Sequence, residues 1–439
     1  MANQAKAVAP SAASAAGNAG WVVTFAGTGI NLALGILYTW SVISAAIPKE
    51  WGWSEADKSL PYSIALLSFA FMTIPAGRMQ DKIGPRWVAS LGGFLVGIGF
   101  FIASLTQAPI GFVIGFGLLA GAGIGCGYAS ATPPAVKWFT AAKTGLITGI
   151  VVSGFGLASV YAAPTAQWLA STYGLSQALI IFGIAFLVVV VGLSQLLRVP
   201  PAGYVPADGA VTKGSAAAKP KPAVEASPSE MLRTRQFYVL WFMYAAGAGA
   251  GLMIISKMSK ITTDQAGLSL GFVLVAVLAI GNGGGRILAG MLSDRIGRFR
   301  TLLICLLLQA ALMLLLSQTV KDSLLATPVV LGIMAAVIGG NYGSNLSVFP
   351  AITKDWFGLR NFGANYGFVF TAWGVGGFVL SQIMGYLYDA THSFTYAYFL
   401  AAGLLVIAAA MTIFIRAPRV AEQRVARPAA RVVEVGRSS

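Results

Sequence analysis

Long apolar stretches without charge alternate with short charged clusters over most of the chain. Residues 87–136 and 144–197 contain no charged side chain. A helix needs about 20 residues to cross the ~30 Å hydrocarbon core of a bilayer, so each stretch is long enough for two crossings. Polar breaks at 107–109 and 171–174 divide them. Single crossings are predicted for the remaining apolar stretches, at 20–47, 59–77, 236–256, 265–293, 301–320, 323–353, 361–388 and 393–415.

The pattern therefore predicts an all-α integral membrane protein with twelve transmembrane helices. Residues 199–230 are rich in Pro, Ala, Gly and Ser and have no apolar period, so they predict a flexible cytosolic linker. This linker separates two six-helix halves, 20–198 and 231–417. The Ala-rich residues 1–19 predict a disordered cytosolic tail, and residues 418–439 predict a basic cytosolic tail.

Composition agrees with a chain that faces lipid. The sequence is 57% hydrophobic and 10% charged, with a mean hydropathy of +0.77. Soluble domains carry about 25% charged residues, and so few charges cannot cover a water-facing surface. This excludes a soluble enzyme. Intramembrane catalysis would need acid–base or metal groups, and the two cysteines have no metal-binding spacing, so we predict neither a metal nor a cofactor.

The net charge of +15 raises the question of nucleic acid as a partner. Most Lys and Arg residues fall in the loops and tails of one predicted side, which is the pattern of the positive-inside rule. We therefore predict no nucleic-acid partner, a cell (inner) membrane location and cytosolic termini. The opposite loops are predicted to hold only Lys49, Lys58, Lys257, Lys260 and Lys321.

The two predicted halves repeat one loop motif after their second span. Its two copies are Gly77-x-x-x-Asp81-x-x-Gly84-x-Arg86 and Gly290-x-x-x-Asp294-x-x-Gly297-Arg298. Twelve spans with this motif resemble the major facilitator superfamily, which implies two halves that rock around a midplane site. The charged residues of the motif are predicted to form a conformational latch across the halves; the alternative is a helix stop with solvated charges. They are Asp81, Arg86, Asp294 and Arg298.

Arg286 is the one charged residue predicted to lie well inside a span. An Arg at the bilayer centre costs roughly 2.5–3.5 kcal/mol on insertion scales. No Asp or Glu is predicted within any span, so no neighbour neutralises it. Its planar guanidinium matches a carboxylate in bidentate geometry. We therefore predict that Arg286 binds an anionic substrate in a central cavity; the alternative is a side chain that snorkels to the cytosol.

Polar residues in the middle of other spans are further candidates for this cavity. Asn282 precedes Arg286 by one helical turn, so the two side chains share a face. In the major facilitator fold the first, fourth, seventh and tenth spans line the cavity, and by resemblance their polar groups belong there. For each tyrosine, packing is the alternative role. The candidates are Asn31, Tyr38, Tyr128, Tyr342 and Asn345, with Asn341 one turn before Asn345.

Within the superfamily, three runs resemble the oxalate:formate antiporter family, a neighbour of the monocarboxylate transporters. They are Asn282-Gly-Gly-Gly-Arg286, the run MLRTRQFYVLW at 231–241 and the run RNFGANYGF at 360–368. The oxalate carrier binds its second carboxylate with a Lys in the eleventh span, and the matching position here is Trp373. One fixed cation favours a monoanion, because a dianion would leave one charge unpaired. A second repeat between the halves has a constant offset of 218, at which Trp138-Phe139 matches Trp356-Phe357. By this offset Phe155 is the counterpart of Trp373, and it is expected to sandwich the substrate from the other side.

The resemblance implies secondary active transport of small monocarboxylates such as lactate or pyruvate by a monomer. We expect proton symport, although Asn282 stands where animal monocarboxylate transporters have an Asp and the first span has no Lys. The only histidine, His392, is expected in the last outer loop. The substrate carboxyl itself would then carry the proton. Exchange of the oxalate:formate kind is the alternative; a sugar or drug carrier, a membrane enzyme or a sensor agrees less well with a buried Arg.

Overall fold

The computed structural model describes residues 11–140, 143–201, 204, 225–358 and 361–418. Within them, twelve helices are long and apolar enough to cross a bilayer, which confirms the predicted fold class. We number these spans α1 (Asn18–Ala45), α2 (Glu55–Ile83), α3 (Pro85–Ser104), α4 (Pro109–Val136), α5 (Leu146–Tyr173), α6 (Leu175–Ser194), α7 (Arg235–Gln265), α8 (Gly271–Ile296), α9 (Arg298–Ser317), α10 (Pro328–Phe357), α11 (Phe362–Thr391) and α12 (Thr395–Phe414).

The predicted tails and linker lie largely outside the described residues, namely 1–10, 202–203, 205–224 and 419–439. The helix of α1 begins at Ser11, inside the segment predicted to be a disordered tail. The end of the predicted linker is also ordered. Ser227 and Glu230 form a capping box at the start of a short helix, Pro228–Leu232. The buried Ala226 donates its N–H to the Phe357 carbonyl, so this end of the linker is fixed to α10.

The two six-helix halves meet along two pairs of spans: α2 packs against α11, and α5 packs against α8. Because twelve crossings separate them, the first and last described residues lie on one face of the bundle. We call it the terminal face, and the opposite side the distal face. The halves are in contact at the distal face, where a Cβ on Gly385 of α11 would lie 2.6 Å from the Ser59 Oγ of α2.

Glycines set the closest helix contact inside the second half, between α8 and α10. A Cβ on Gly281 would lie 2.0 Å from the Ala336 carbonyl oxygen, and one on Gly339 would lie 2.0 Å from that of Leu278. Small residues permit this close backbone approach in membrane helices. The contact fixes α8, and hence the depth and direction of Arg286, relative to α10.

Replacing a contact glycine of α8 should therefore loosen this half. Gly281→Ala is expected to destabilise the protein by roughly 1–3 kcal/mol, the usual cost of overpacking. Gly284→Ala is the matched control, because Gly284 is exposed on the same helix and has no described atom within 4 Å of its Cβ position. The measurement is the thermal unfolding midpoint of each purified variant in detergent. Equal midpoints for the two variants would contradict the packing role of Gly281.

Candidate substrate-binding site

Arg286 lies deep within the bundle. It precedes the end of α8 at Ile296 by ten residues, which corresponds to about 15 Å of helix. Its side chain is buried, with 9% of the residue exposed. A snorkelling Arg would have an exposed guanidinium, so the alternative interpretation of Arg286 is not supported.

Neutral groups hold the Arg286 guanidinium in place. Nε donates to the Asn282 Oδ1 at 3.1 Å, and Nη1 donates across the half-interface to the Val152 carbonyl of α5 at 2.9 Å. The remaining nitrogen, Nη2, and the Asn282 Nδ2 are both buried and have no hydrogen-bond partner among the described residues. Two neighbouring donors therefore lack an acceptor.

No carboxylate of the described residues lies within 4 Å of an Arg286 nitrogen; the ion pairs in these segments involve other residues. Gly156 of α5 supports the guanidinium instead. A Cβ there would lie 3.4 Å from Cζ, Nε and Nη2, so glycine lets the flat group rest on the helix backbone. An uncompensated cation in such a position favours an anion from solution.

A hydrogen-bond chain crosses the half-interface beside Arg286. The Trp373 Nε1 donates to the Tyr342 hydroxyl at 2.7 Å, which lies 2.5 Å from the Tyr38 hydroxyl. An indole only donates, so the Tyr342 hydroxyl accepts from Trp373; in the contact between the two tyrosines, either hydroxyl can be the donor. Tyr38 reaches this place because Gly35–Thr39 forms a 3₁₀ turn inside α1.

Aromatic rings surround this chain, although not in the expected arrangement. Phe69 of α2, which the sequence analysis did not single out, lies between Phe155 and Trp373, with ring centroids 5.5 and 5.0 Å away. The direct sandwich by Phe155 and Trp373 is therefore not present in this conformation. Tyr128 stacks on Phe370 and is partly exposed, whereas Phe155 and Trp373 are buried.

Two of the predicted site residues point elsewhere. The Asn31 Nδ2 donates to the Val151 carbonyl at 2.8 Å, so this side chain joins α1 to α5. The Asn345 Nδ2 donates to the Asn341 carbonyl at 3.0 Å, and its Oδ1 lies against Gly247 of α7. Both contacts are helix packing. Tyr38 also contacts α5, through the ring of Phe155 at 5.0 Å, but unlike Asn31 it reaches across to Tyr342 of the other half.

The four residues of the predicted latch make their recorded contacts within their own halves. Arg298 pairs with Asp294 and, at 3.2 Å, with Asp355. Arg86 lies over the Trp87 ring, and Asp81 accepts from Gln80. Within the described residues, this conformation therefore contains no ion pair of these residues across the halves.

The sequence analysis missed a second buried charge. Lys257, predicted to lie in an outer loop, is a buried residue of α7, and the Glu55 carboxylate of α2 lies 2.7 Å from its Nζ. The prediction that no acidic residue lies within a span was wrong, because the described spans include several near their ends, and Glu55 is a buried one. A charge was read as the end of a span, but an ion pair between two helices allows both charges to be buried.

Twelve spanning helices in two halves, with a buried guanidinium between them, have the architecture of a membrane transport protein. The sequence profile of the Major Facilitator Superfamily matches residues 22–319 and, again, 260–437. The chain belongs to this superfamily.

Several relatives cover most of the chain. An MFS-type transporter of Escherichia coli, YhjX, is 28% identical over 81% of this chain and 85% of its own length. The oxalate:formate antiporter of Oxalobacter formigenes is 27% identical over 77% of each chain. Human monocarboxylate transporter 11 is 26% identical over 92% of this chain and 84% of its own.

A solved structure has the same fold. The inward-facing, unoccupied bacterial homologue of the human lysosomal transporter Spinster has a TM-score of 0.63 and 19% identity, and the match covers 90% of this chain and 96% of that one. The similarity extends over both halves, in agreement with the two-half architecture described above.

Proposed function

We propose that this protein transports small monocarboxylates by alternating access, with Arg286 as the residue that binds the carboxylate. The observation that carries the proposal is the pair of buried donors without an acceptor, Arg286 Nη2 and Asn282 Nδ2, on side chains that hydrogen bond to each other. A carboxylate has two oxygens that accept from such a pair. The similarity to an oxalate:formate antiporter and to monocarboxylate transporters supports a carboxylate substrate.

Around the carboxylate, Tyr38 would supply a further hydroxyl donor, and Tyr128, Tyr342, Phe155 and Trp373 would shape the apolar part of the pocket. A substrate carboxylate would compete with the Val152 carbonyl for the guanidinium. Because Val152 lies in the other half, this competition would couple binding to movement of the halves. The excess of Lys and Arg in the loops of the terminal face supports an inner-membrane protein whose terminal face is cytosolic.

Replacing Arg286 tests the central claim. In proteoliposomes, Arg286→Ala is expected to abolish saturable uptake of radiolabelled lactate or pyruvate. Arg286→Lys should also lose most of it, because one ammonium cannot reproduce the forked contacts to Asn282, Val152 and a carboxylate. Arg233→Ala, at an exposed position before α7, is the control that keeps activity. Full transport by Arg286→Ala would reject the proposal.

Trp373 tests the size and charge of the substrate. Its indole donates to Tyr342 and offers no second cation, which favours a monoanion over a dianion. Trp373→Lys is therefore expected to gain binding of oxalate or malonate and to lose affinity for monocarboxylates. Trp373→Phe, which keeps an aromatic ring without a charge, is the matched control. The measurement is the ligand-induced shift of the thermal unfolding midpoint. No dicarboxylate shift with Trp373→Lys would count against the one-cation argument.

Two mechanisms could couple substrate transport to a driving force, proton symport and anion exchange. Proton symport is the expectation from the sequence. Exchange is favoured by the uncompensated guanidinium, since an empty site would have to cross between the two faces with a bare buried charge. An imposed inward proton gradient should drive accumulation into vesicles without internal anion if symport operates. A strict requirement for preloaded monocarboxylate, with no effect of the gradient, would establish exchange instead.

A further inference from the structure

A buried ion-pair cluster joins the two halves at the distal face, far from Arg286 along the bundle. Glu55, the first residue of α2, provides its carboxylate. Three lysine ammonium groups surround that carboxylate: Lys257 at 2.7 Å from Oε2, and Lys58 and Lys260 at 3.1 and 3.4 Å from Oε1. The three ammonium groups thus form an anion-binding site that the Glu55 carboxylate already occupies.

The three lysines differ in what they would keep if the halves separated. Lys58 lies on the same helix as Glu55. Lys260 has partners in its own half, with Asp264 at 2.7 Å and the ring of Tyr388 at 4.6 Å. Lys257 is 2% exposed, and in the described residues both acceptors of its ammonium belong to Glu55, the carboxylate and the backbone carbonyl at 3.0 Å.

Opening of the distal face must part α2 from α7, because the cluster bridges the halves. Lys257 would then lose both of its acceptors, beside buried side chains that carry no charge, such as Ile255, Ser256 and Met258. Asp389 of the same half accepts from the Glu55 and Ala56 N–H groups, and among the described contacts it does not pair with Lys257. A buried ammonium without a counter-charge in contact is costly. The incoming solution supplies the compensating group, and a carboxylate has the chemistry of the one that has left.

Side chains next to both cations line one narrow crevice between the halves, which is too tight for water. Ile255 and Met258, which flank Lys257 in α7, line it together with Tyr38 and Asn282. Asn282 is the hydrogen-bond partner of Arg286. Lys257 and Arg286 are thus two buried cations of the described residues, on the neighbouring helices α7 and α8.

We propose that Lys257 is a second anion-binding residue, which receives the substrate carboxylate at the distal mouth when the Glu55 carboxylate withdraws. The Glu55 carboxylate then takes the place of the substrate carboxylate, and it pairs with Lys257 while the distal face is closed. The identity of the anion rests on the proposed function; the exchange of Glu55 for a free carboxylate does not depend on Arg286.

The two charges make opposite predictions for uptake that starts from the distal side. Lys257→Gln is expected to raise the KM for monocarboxylate on that side by about fivefold, the fold-change of an ion pair that water reaches. Glu55→Gln removes the competitor and should lower this KM. The KM for transport from the terminal side should stay within about twofold in Lys257→Gln, because substrate that enters from that side meets Arg286 before the cluster. Lys49→Gln, an exposed lysine of the same face, is the control.

A cluster that only latches the halves gives a different result. Both substitutions would then release the same ion pair and shift the distal KM in the same direction, which would overturn the proposal. Size-exclusion profiles verify folding of each variant. If Glu55→Gln does not fold, Glu55→Asp is the substitute variant, because it retains the charge on a shorter side chain. It should also lower the KM on the distal side, by a smaller factor.

A second measurement separates this inference from the proposed function. Acetate is titrated against Glu55→Gln/Arg286→Ala, in which the central cation is absent, and the thermal unfolding midpoint is recorded. Acetate is expected to raise this midpoint, and the triple variant that adds Lys257→Gln should lose the increase. Loss of transport in Arg286→Ala with this acetate effect intact would leave both proposals standing. Equal titrations for the double and triple variants would reject the Lys257 site alone.

Discussion

A guanidinium without a carboxylate partner in the middle of the bundle is the constraint around which the central structure is arranged. Arg286 satisfies two of its donor groups with neutral oxygens, the Asn282 Oδ1 on its own helix and the Val152 carbonyl on the opposite half. Because neutral acceptors satisfy geometry without cancelling charge, the site stays attractive to an anion. Because one acceptor belongs to the other half, whatever occupies the site also changes how the halves are held together.

Two buried cations thus bridge the halves in two different ways. Lys257 pairs with the Glu55 carboxylate, which it shares with Lys58 and Lys260, so a charge-assisted contact closes the distal face. Arg286 is compensated only in part, by weaker bonds to neutral groups. The difference has a physical consequence. On the proposed function, the distal contact would hold without a ligand, while a bound carboxylate would improve the central contact, and an alternating-access carrier needs both kinds of contact.

Hydropathy alone was sufficient for the twelve spans, because only long apolar helices avoid unsatisfied backbone in lipid. Arg286 and Asn282 were also predictable, since a lone charge within an apolar run is conspicuous and a spacing of four fixes the shared face. Features that depend on contact between two helices far apart in the sequence could not be predicted in this way. Glu55 and Lys257 are 202 positions apart in the chain, Phe69 has no polar signal, and the packing role of Asn31 depends on its contact with α5.

The pseudo-symmetry of the halves is broken at one pair of glycines, and this explains where the polar site lies. Gly374 of α11 packs against α2, and a Cβ there would lie 2.4 Å from the Ala70 Cβ, so its role is close apolar contact. Gly156 of α5 occupies the corresponding position of the first half, yet it faces the Arg286 guanidinium of α8. The same small residue therefore serves packing at the α2–α11 seam and seats a cation at the α5–α8 seam. On the proposed function, Arg286 at the α5–α8 seam and Lys257, which pairs with Glu55 of α2, would mark two points on the route of the anion. Gly374 would keep the apolar contact between α11 and α2 close at the depth of Arg286.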